Sequence, residues 1–549
     1  MLNNQNPTII SPWKAELVKD IFPGEFDLSA SKLKNFNNTL YFQPYQTKSF
    51  HYSYYSAKEQ LWKSDGTEAG TNLLKDLGLY SYNSLVPEVN NNTLYFQVNS
   101  QNTSPNSSQL WKIDGTDTGV QLVKDLGSSL DIKSFIPIEN NLYFTAGDSY
   151  NSTQLWKTDG TEIGTILVKD FDNSISNVRE INNSLYLDVN QYNPMTSTST
   201  AQLWKTDTTN TGVELIKDFG DLTFGNSYQQ DNAAIVNDIL YFEVGRAYSY
   251  SLPSTQLSQL WKSDGTNTGT TVVKDFGSIR NINYFFGEVN NTFYFSVSLP
   301  NPENSAATTY ELWKSDGTDA GTTLVQNLGN YSPGYLTTVN NTLYFTQNNY
   351  DSLTNTSSNQ LWKIDGTNGN VSLIKDAGNI LIKEWETIDN NLYFQISNYD
   401  YNTKISTAQL WKTDGTDVGT TLVKDFPNAS FPSSYYEKLQ SINNTLYFQL
   451  TDPTYGTELW MSNGTETGTI MVADINPGLG SSNPSLPVDV NNTLYLLADD
   501  GIHGNELWKL TPTQLGSDVK SLAMNNLKLM SDFSHTYQLP TFSNPSNGL

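Results

Sequence analysis

One twelve-residue pattern constrains this chain more than anything else in it. It is first complete at Gln60-Leu61-Trp62-Lys63-Ser64-Asp65-Gly66-Thr67-Glu68-Ala69-Gly70-Thr71, followed by Asn72-Leu73-Leu74-Lys75-Asp76. The pattern predicts two short strands, Leu61-Trp62-Lys63 and Leu73-Leu74-Lys75, joined by a glycine-containing turn. Asp65 can bond its own backbone there, and the glycines tolerate positive φ. The tryptophan returns at Trp111, Trp156, Trp204, Trp261, Trp313, Trp362, Trp411, Trp460 and Trp508, at spacings of 45 to 57 residues and most often 49. A chain of 549 residues would ordinarily split into several domains. A repeat removes that expectation, because rings and solenoids grow by adding units. The drift in spacing suits separate sheets joined by variable loops better than a tightly wound β-solenoid.

Each period carries a second hairpin. A strand such as Tyr335-Leu336-Thr337-Thr338-Val339 leads through Asn340-Asn341 into the aromatic strand Leu343-Tyr344-Phe345. Asparagine accepts the left-handed conformation that a tight hairpin turn needs. Four strands per unit is the content of a propeller blade. The Leu-Tyr-Phe strand, the Leu-Trp strand and the Leu-Val-Lys-Asp strand each occur ten times, so the fold class is an all-β propeller of about ten four-stranded blades. The phase of the repeat matters as well. The chain begins on the last strand of a unit, Glu16 to Ile21, and leaves the repeat just after Trp508 with that strand missing. The N-terminal strand therefore closes one ring and leaves no open edge, and two five-bladed rings are the alternative. Residues 1–510 form the propeller on this reading, and residues 511–549 match no repeat and form a tail.

Composition agrees with an all-β chain and narrows its partners. It has 32 Tyr, 24 Phe and 12 Trp, residues that favour pleated, half-buried surfaces. The net charge of −25 discounts nucleic acid and anionic membrane as partners. With no cysteine, disulfides, thiolate zinc sites and thiol nucleophiles are excluded. The first residues, Met1-Leu2-Asn3-Asn4-Gln5-Asn6-Pro7, lack a basic segment and apolar core, so no signal peptide is expected there. No apolar run is long enough for a membrane-spanning helix.

Candidate sites come mostly from the repeat. The ten tryptophans suit packing between blades, where a large aromatic buries much area, better than ligand stacking. The turn aspartates Asp65, Asp114, Asp159, Asp264, Asp316, Asp365 and Asp414 suit turn capping. Calcium at these turns is the alternative, but it takes six to eight oxygens. Asp65 and Glu68 offer two carboxylates, and Asn267 or Asn368 replaces the second elsewhere. No cofactor is expected. The Lys-Asp pairs, such as Lys75-Asp76, point to opposite faces of their strand, so each side chain should meet a charge on a neighbouring strand, for example Lys63 near Asp76. His51, His503 and His535 lie in unlike contexts and show no catalytic or metal-binding spacing, so no enzyme is expected. The Asn-Asn-Thr and Asn-Asn-Ser triplets, such as that starting at Asn340, read as turns although they match a glycosylation acceptor.

Glu311-Leu312-Trp313-Lys314-Ser315-Asp316-Gly317-Thr318 with Gly321-Thr322 closely resembles the bacterial ELWxxDGT repeat family, as does Glu458-Leu459-Trp460 with Gly464-Thr465 and Gly468-Thr469. Asp474-Ile475-Asn476-Pro477-Gly478 and Asp500-Gly501-Ile502-His503-Gly504-Asn505-Glu506-Leu507-Trp508 look like its flanking segments. The resemblance covers roughly residues 10–510 and implies an extracellular or cell-surface setting, with no defined activity. The chain departs from the motif by carrying Gln60, Gln109, Gln154, Gln202, Gln259, Gln360 and Gln409 before Leu-Trp, and Asn463 in one turn. If that Glu and Asp held a metal in the family, most units here have lost half the site. The function expected on these grounds is a non-enzymatic surface, matrix or adhesion protein that presents variable loops to a glycan or surface protein. The alternatives are a structural subunit self-associating through residues 511–549 to build a fibre or sheath, and a multivalent lectin.

Overall fold

The computed structural model describes residues 13–21, 27–47, 58–79, 88–100, 107–116, 119–127, 130–147, 153–171, 173–193, 198–206, 212–224, 233–246, 257–277, 280–300, 308–351, 356–378, 381–400, 405–432 and 439–513. They form ten antiparallel sheets and no helix. Nine sheets have four strands, and the fifth has its first strand in two pieces, Thr223–Phe224 and Ala233–Val236. The first blade shows the plan: Asp27–Phe36, Thr39–Thr47, Lys58–Ser64 and Asn72–Leu79, hydrogen-bonded in chain order. The first strands of adjacent blades approach one another, which places them toward the ring axis and the fourth strands at the perimeter.

The ring closes through the N-terminal strand. Trp13–Lys19 pairs antiparallel with Asn505–Pro512, with Ala15 opposite Leu510, and so supplies the fourth strand of the tenth blade. That blade then meets the first. Lys509 Nζ donates to Gly66 O at 3.0 Å, Asn35 Nδ2 donates to Asp489 O at 2.8 Å, and Lys19 Nζ donates to Thr71 O at 2.8 Å. One ten-bladed ring results, and the two-ring alternative is excluded.

The hydrophobic core sits between blades. Ten clusters of buried side chains straddle the ten blade boundaries. The reason lies in the strand period. In Leu40-Tyr41-Phe42, Leu40 and Phe42 face the tenth blade while Tyr41 faces the second, so one apolar strand feeds two interfaces. Both faces of every blade are covered, which explains why the aromatic strands are buried throughout.

Strand direction gives the ring two unlike faces. Turns between first and second strands, and between third and fourth, share one face. The remaining connections share the other. On the turn face, Asn37-Asn38 has φ of 50° and 60°, Asn340-Asn341 has 47° and 58°, and Asn491-Asn492 has 53° and 63°. Positive φ at both central positions is the type I′ hairpin that matches strand twist. The opposite face, called here the loop face, carries connections of differing length. Much of the variable segments 191–199, 246–258, 299–309 and 348–358, the turn after Trp204 and residues 514–549 of the tail lie outside the described residues.

Candidate functional site

The repeated tryptophan is held on every side. Its Nε1 donates to the glutamine two residues earlier, as in Trp111 to Gln109 Oε1 at 3.0 Å and Trp411 to Gln409 Oε1 at 2.9 Å, and Trp62, Trp156, Trp204, Trp261 and Trp362 do the same. That glutamine donates in turn to the aspartate of the Lys-Asp pair, Gln109 to Asp125 Oδ2 at 3.0 Å and Gln154 to Asp170 Oδ2 at 2.7 Å. One ring face stacks on the aromatic strand, with Phe144 and Trp156 at 6.1 Å and 11°. The lysine of the preceding blade reaches over the indole. Lys75 lies 4.6 Å from the Trp111 centroid, and Lys375 lies 4.1 Å from that of Trp411. The Lys-Asp side chains thus serve an indole of the next blade and a glutamine of their own. Lys274 in addition meets a charge on the next blade, Asp319 Oδ1 at 2.9 Å, and Asp76 lies opposite Gln60 in the register. At such partly exposed sites a cation–π contact is worth about 0.5–1 kcal/mol, similar to an exposed ion pair.

The sixth blade shows that this cluster behaves as a unit. There Glu311 replaces glutamine, and Asn327 replaces the aspartate. Trp313 Nε1 still donates to Glu311 Oε2 at 2.9 Å, Arg280 Nε bonds the same oxygen at 3.2 Å, and Asn327 Oδ1 still accepts from Gly329 N at 2.8 Å. Both arrangements keep a single carboxylate beside the indole, because two facing carboxylates would repel.

The turn aspartates bond their own turns. Asp65 Oδ1 accepts from Thr67 N at 2.9 Å and Thr67 Oγ1 at 2.7 Å. Asp114, Asp159, Asp264, Asp316 and Asp414 repeat both bonds, and Asp365 accepts from Thr367 N at 2.8 Å. The threonine hydroxyl and amide bonds hold these carboxyls below the usual aspartate range. A second clamp lies beneath. Ser64 Oγ meets Thr71 Oγ1 at 2.7 Å and accepts from Gly66 N at 3.0 Å. Among the described residues, no group of three or more His, Asp or Glu side chains is arranged to hold a metal.

The ninth and tenth blades depart from this pattern. They carry Glu458 and Glu506 before Leu-Trp while retaining Asp474 and Asp20, so the outward arrangement would place two carboxylates together. Both glutamates turn inward and are fully buried. Glu458 accepts from Ile475 N at 3.3 Å, Ser482 N at 3.0 Å and Ser482 Oγ at 2.5 Å, pinning the segment 475–482 that leads into the tenth blade. Glu506 accepts from Ile21 N at 3.0 Å. Burial pushes the Glu458 carboxyl up to about 7 against these donors. Trp508 Nε1 turns to Ala498 O at 3.0 Å, and Trp460 Nε1 has no partner among the described residues.

Above these anchors two loops meet on the loop face, with the Asn476 side chain against both Gly480 and Gly501. Leu479 and Ile502 project from them, 79% and 80% exposed. Beside them His503 Nδ1 lies 2.7 Å from Asp500 Oδ2, and Asp500 Oδ1 accepts from Ile502 N and His503 N. The Asp500 carboxylate raises the His503 pKa. The histidines show no relation in sequence, and this pair was missed because the aspartate lies within the same loop. The spacing Asp500-Gly501-Ile502-His503, an aspartate able to cap the turn that carries the histidine, was the available signal. His51 and His535 lie outside the described residues.

No family model matches the chain, and a search of curated proteins finds no match. Solved structures match in fold. A structure from a study of two prolyl endopeptidases is 12% identical over 70% of this chain and 54% of its own, with a TM-score of 0.33. The β-propeller domain of the Trilobed protease from Pyrococcus furiosus is 10% identical over 73% and 98%, with a TM-score of 0.29. Prolyl oligopeptidase B from Galerina marginata is 11% identical over 67% and 55%, with a TM-score of 0.37. The chain spans about half the length of the prolyl endopeptidase structure it matches. These neighbours are peptidases or a protease's propeller domain, against the expected non-enzymatic surface, matrix or adhesion role; that role is set aside with its fibre and lectin variants, and at these identities and TM-scores the likeness shows the fold alone. The geometry agrees on the lectin, because most of the tryptophans that would line repeated sugar pockets are bonded at Nε1, and several are covered by phenylalanine or lysine.

Proposed function

We propose that the chain is a ring that binds a cationic polypeptide on its loop face, across the ninth and tenth blades, while another protein or domain carries out any bond chemistry. The observation that carries this is the contrast between the faces. Turn-face groups are bonded into near-identical turns, whereas the loop face offers Leu479 on a loop pinned from below by Glu458 and Ile502 on a loop held by Asp500. An exposed apolar pair on a rigid base beside carboxylates, here Asp20, Asp474 and Asp500, suits a partner with apolar and basic side chains. The net charge of −25 favours the same sign of partner. The test is fluorescence anisotropy with labelled basic peptides carrying leucine or phenylalanine, at physiological salt. Leu479→Asp with Ile502→Asp should abolish binding. Ile163→Asp with Val418→Asp, equally exposed but on the turn face, should leave it unchanged. Equal effects from both pairs, or from neither, sink the proposal.

One observation favours a second reading. The Asp500–His503 pair holds an imidazole by Nδ1 as a general base is held. Peptide and ester hydrolysis by the isolated ring, lost in His503→Gln, would establish that reading instead.

A further inference from the structure

The turn that defines the repeat also exposes the chain to a known backbone reaction. In an Asp-Gly sequence the glycine nitrogen can attack the aspartate Cγ. The N–Cγ bond forms, the amide proton and the carboxyl hydroxyl leave as water, and a succinimide results. Water then opens the ring. Attack at Cγ returns aspartate, and attack at the main-chain carbonyl gives isoaspartate, with the side-chain methylene inserted into the backbone and no net change in mass. Two things slow the reaction in a folded turn: a glycine N–H engaged in a hydrogen bond, and a turn too rigid to bring nitrogen and Cγ together.

Eight Asp-Gly bonds lie among the described residues, and seven have the glycine N–H bonded. Gly66, Gly160, Gly265, Gly317 and Gly415 donate to the hydroxyls of Ser64, Thr158, Ser263, Ser315 and Thr413. Gly366 N donates to Asn341 O at 2.9 Å, and Gly501 N donates to Asp499 Oδ1 at 2.7 Å. The eighth is Asp114-Gly115 in the second blade. There Ile113 replaces the serine or threonine, Val120 replaces its threonine partner, and both pack into the core. Among the described residues no hydroxyl lies beneath the turn and Gly115 N has no partner. Gly119 N, bonded to a threonine hydroxyl in the clamped turns, donates instead to Thr116 O at 3.1 Å. The seventh blade makes the same apolar exchange, with Ile364 and Val371, but its glycine is held by Asn341. The Asn463-Gly464 bond, a sequence prone to deamidation by the same attack, has Gly464 N donating to Ser462 Oγ at 3.1 Å.

We propose that Asp114 is a site of spontaneous isoaspartate formation in this ring, and that the hydroxyl beneath each of the other Asp-Gly-Thr turns, or Asn341 O in the seventh blade, protects it. The seven turns share the sequence Asp-Gly-Thr, so that tripeptide does not separate them; the partner of the glycine N–H does. Conversion at Asp114 lengthens the turn between the third and fourth strands, where Gly115 lies against Asn37 of the first blade.

The experiment is peptide mapping of the native protein after prolonged incubation at neutral pH, with isoaspartate located by retention time and by an isoaspartate-specific methyltransferase. Isoaspartate should accumulate at Asp114 several-fold faster than at Asp65, Asp159, Asp264, Asp316, Asp365, Asp414 or Asp500. The difference should vanish when the chain is incubated in urea. Ile113→Ser with Val120→Thr, which copies the pair of the first blade, should bring Asp114 down to the level of Asp65. Ser64→Ala should raise Asp65 toward Asp114 and gives a second measurement if the double variant folds poorly. Equal native rates at all sites, or a preference for Asp114 that persists in urea, would overturn the proposal.

Discussion

Glu243 gives the sharpest energetic prediction. It occupies the position after the aromatic strand in the fifth blade, where other blades place Gln43, Gln97, Thr145 or Ser296. Its side chain is 7% exposed and accepts from Ser258 Oγ at 2.6 Å, and Ser258 Oγ accepts in turn from Ile282 N of the sixth blade at 3.2 Å. Burial pushes the Glu243 carboxyl from the ordinary 4.5 up to about 7. The folded state therefore binds the proton more tightly than the unfolded chain. Its contribution to stability is fully present below about 4.5 and is lost as pH rises through about 7. At about 1.4 kcal/mol for each tenfold change in affinity, the loss is roughly 3 kcal/mol. Glu243→Gln keeps the shape and an acceptor for Ser258 and removes the titration. Urea denaturation of both proteins across this window should show the variant's advantage growing with pH by about that amount. Hydrogen exchange in the peptide containing Ile282 should report the same change locally. Parallel pH profiles for the two proteins would refute the reasoning.

Two further predictions probe the repeated contacts. In the seventh blade, Gln360→Glu sets a carboxylate against Asp376, now 3.1 Å from Gln360 Nε2, and should destabilise by about 1 kcal/mol; adding Asp376→Asn, as in the sixth blade, should recover most of it, and a double-mutant cycle without coupling would contradict the shared role. Gly66→Ala places a Cβ at φ +86° and 2.0 Å from Tyr495 Oη, so it should cost roughly 1–2 kcal/mol in backbone strain before the clash is counted, and Tyr495→Phe should relieve only the clash in a thermal-melt comparison.

The sequence discloses the architecture because the repeat's phase is itself structural information. A chain that starts on a fourth strand and stops after a third can close only by joining its ends, and Trp13–Lys19 does so. The Asn-Asn turns were legible for the same local reason: few other residues accept positive φ twice in succession. The destinations of the Lys-Asp side chains were not legible. Alternation places them on opposite faces but does not reveal that the next blade offers Lys75 an indole, which depends on how blades stack. Glu458 and Glu506 show the same limit. In sequence they carry the Glu of the repeat motif, as Glu311 does, yet they turn inward because Asp474 and Asp20 occupy the outward position. Apart from the turn aspartates, the groups of the candidate site emerged only where neighbouring copies differ.

Closure of the ring by its own N-terminus underlies both the two-faced geometry and the loop sector beside it, and it can be tested in a chain with no native cysteine. Lys14 lies opposite Thr511 in the register. Lys14→Cys with Thr511→Cys should form a disulfide under mild oxidation within a monomer, seen as a reducible mobility shift and a linked peptide joining the two termini. Absence of the link, or its appearance only between two copies, would contradict the closed ten-bladed ring.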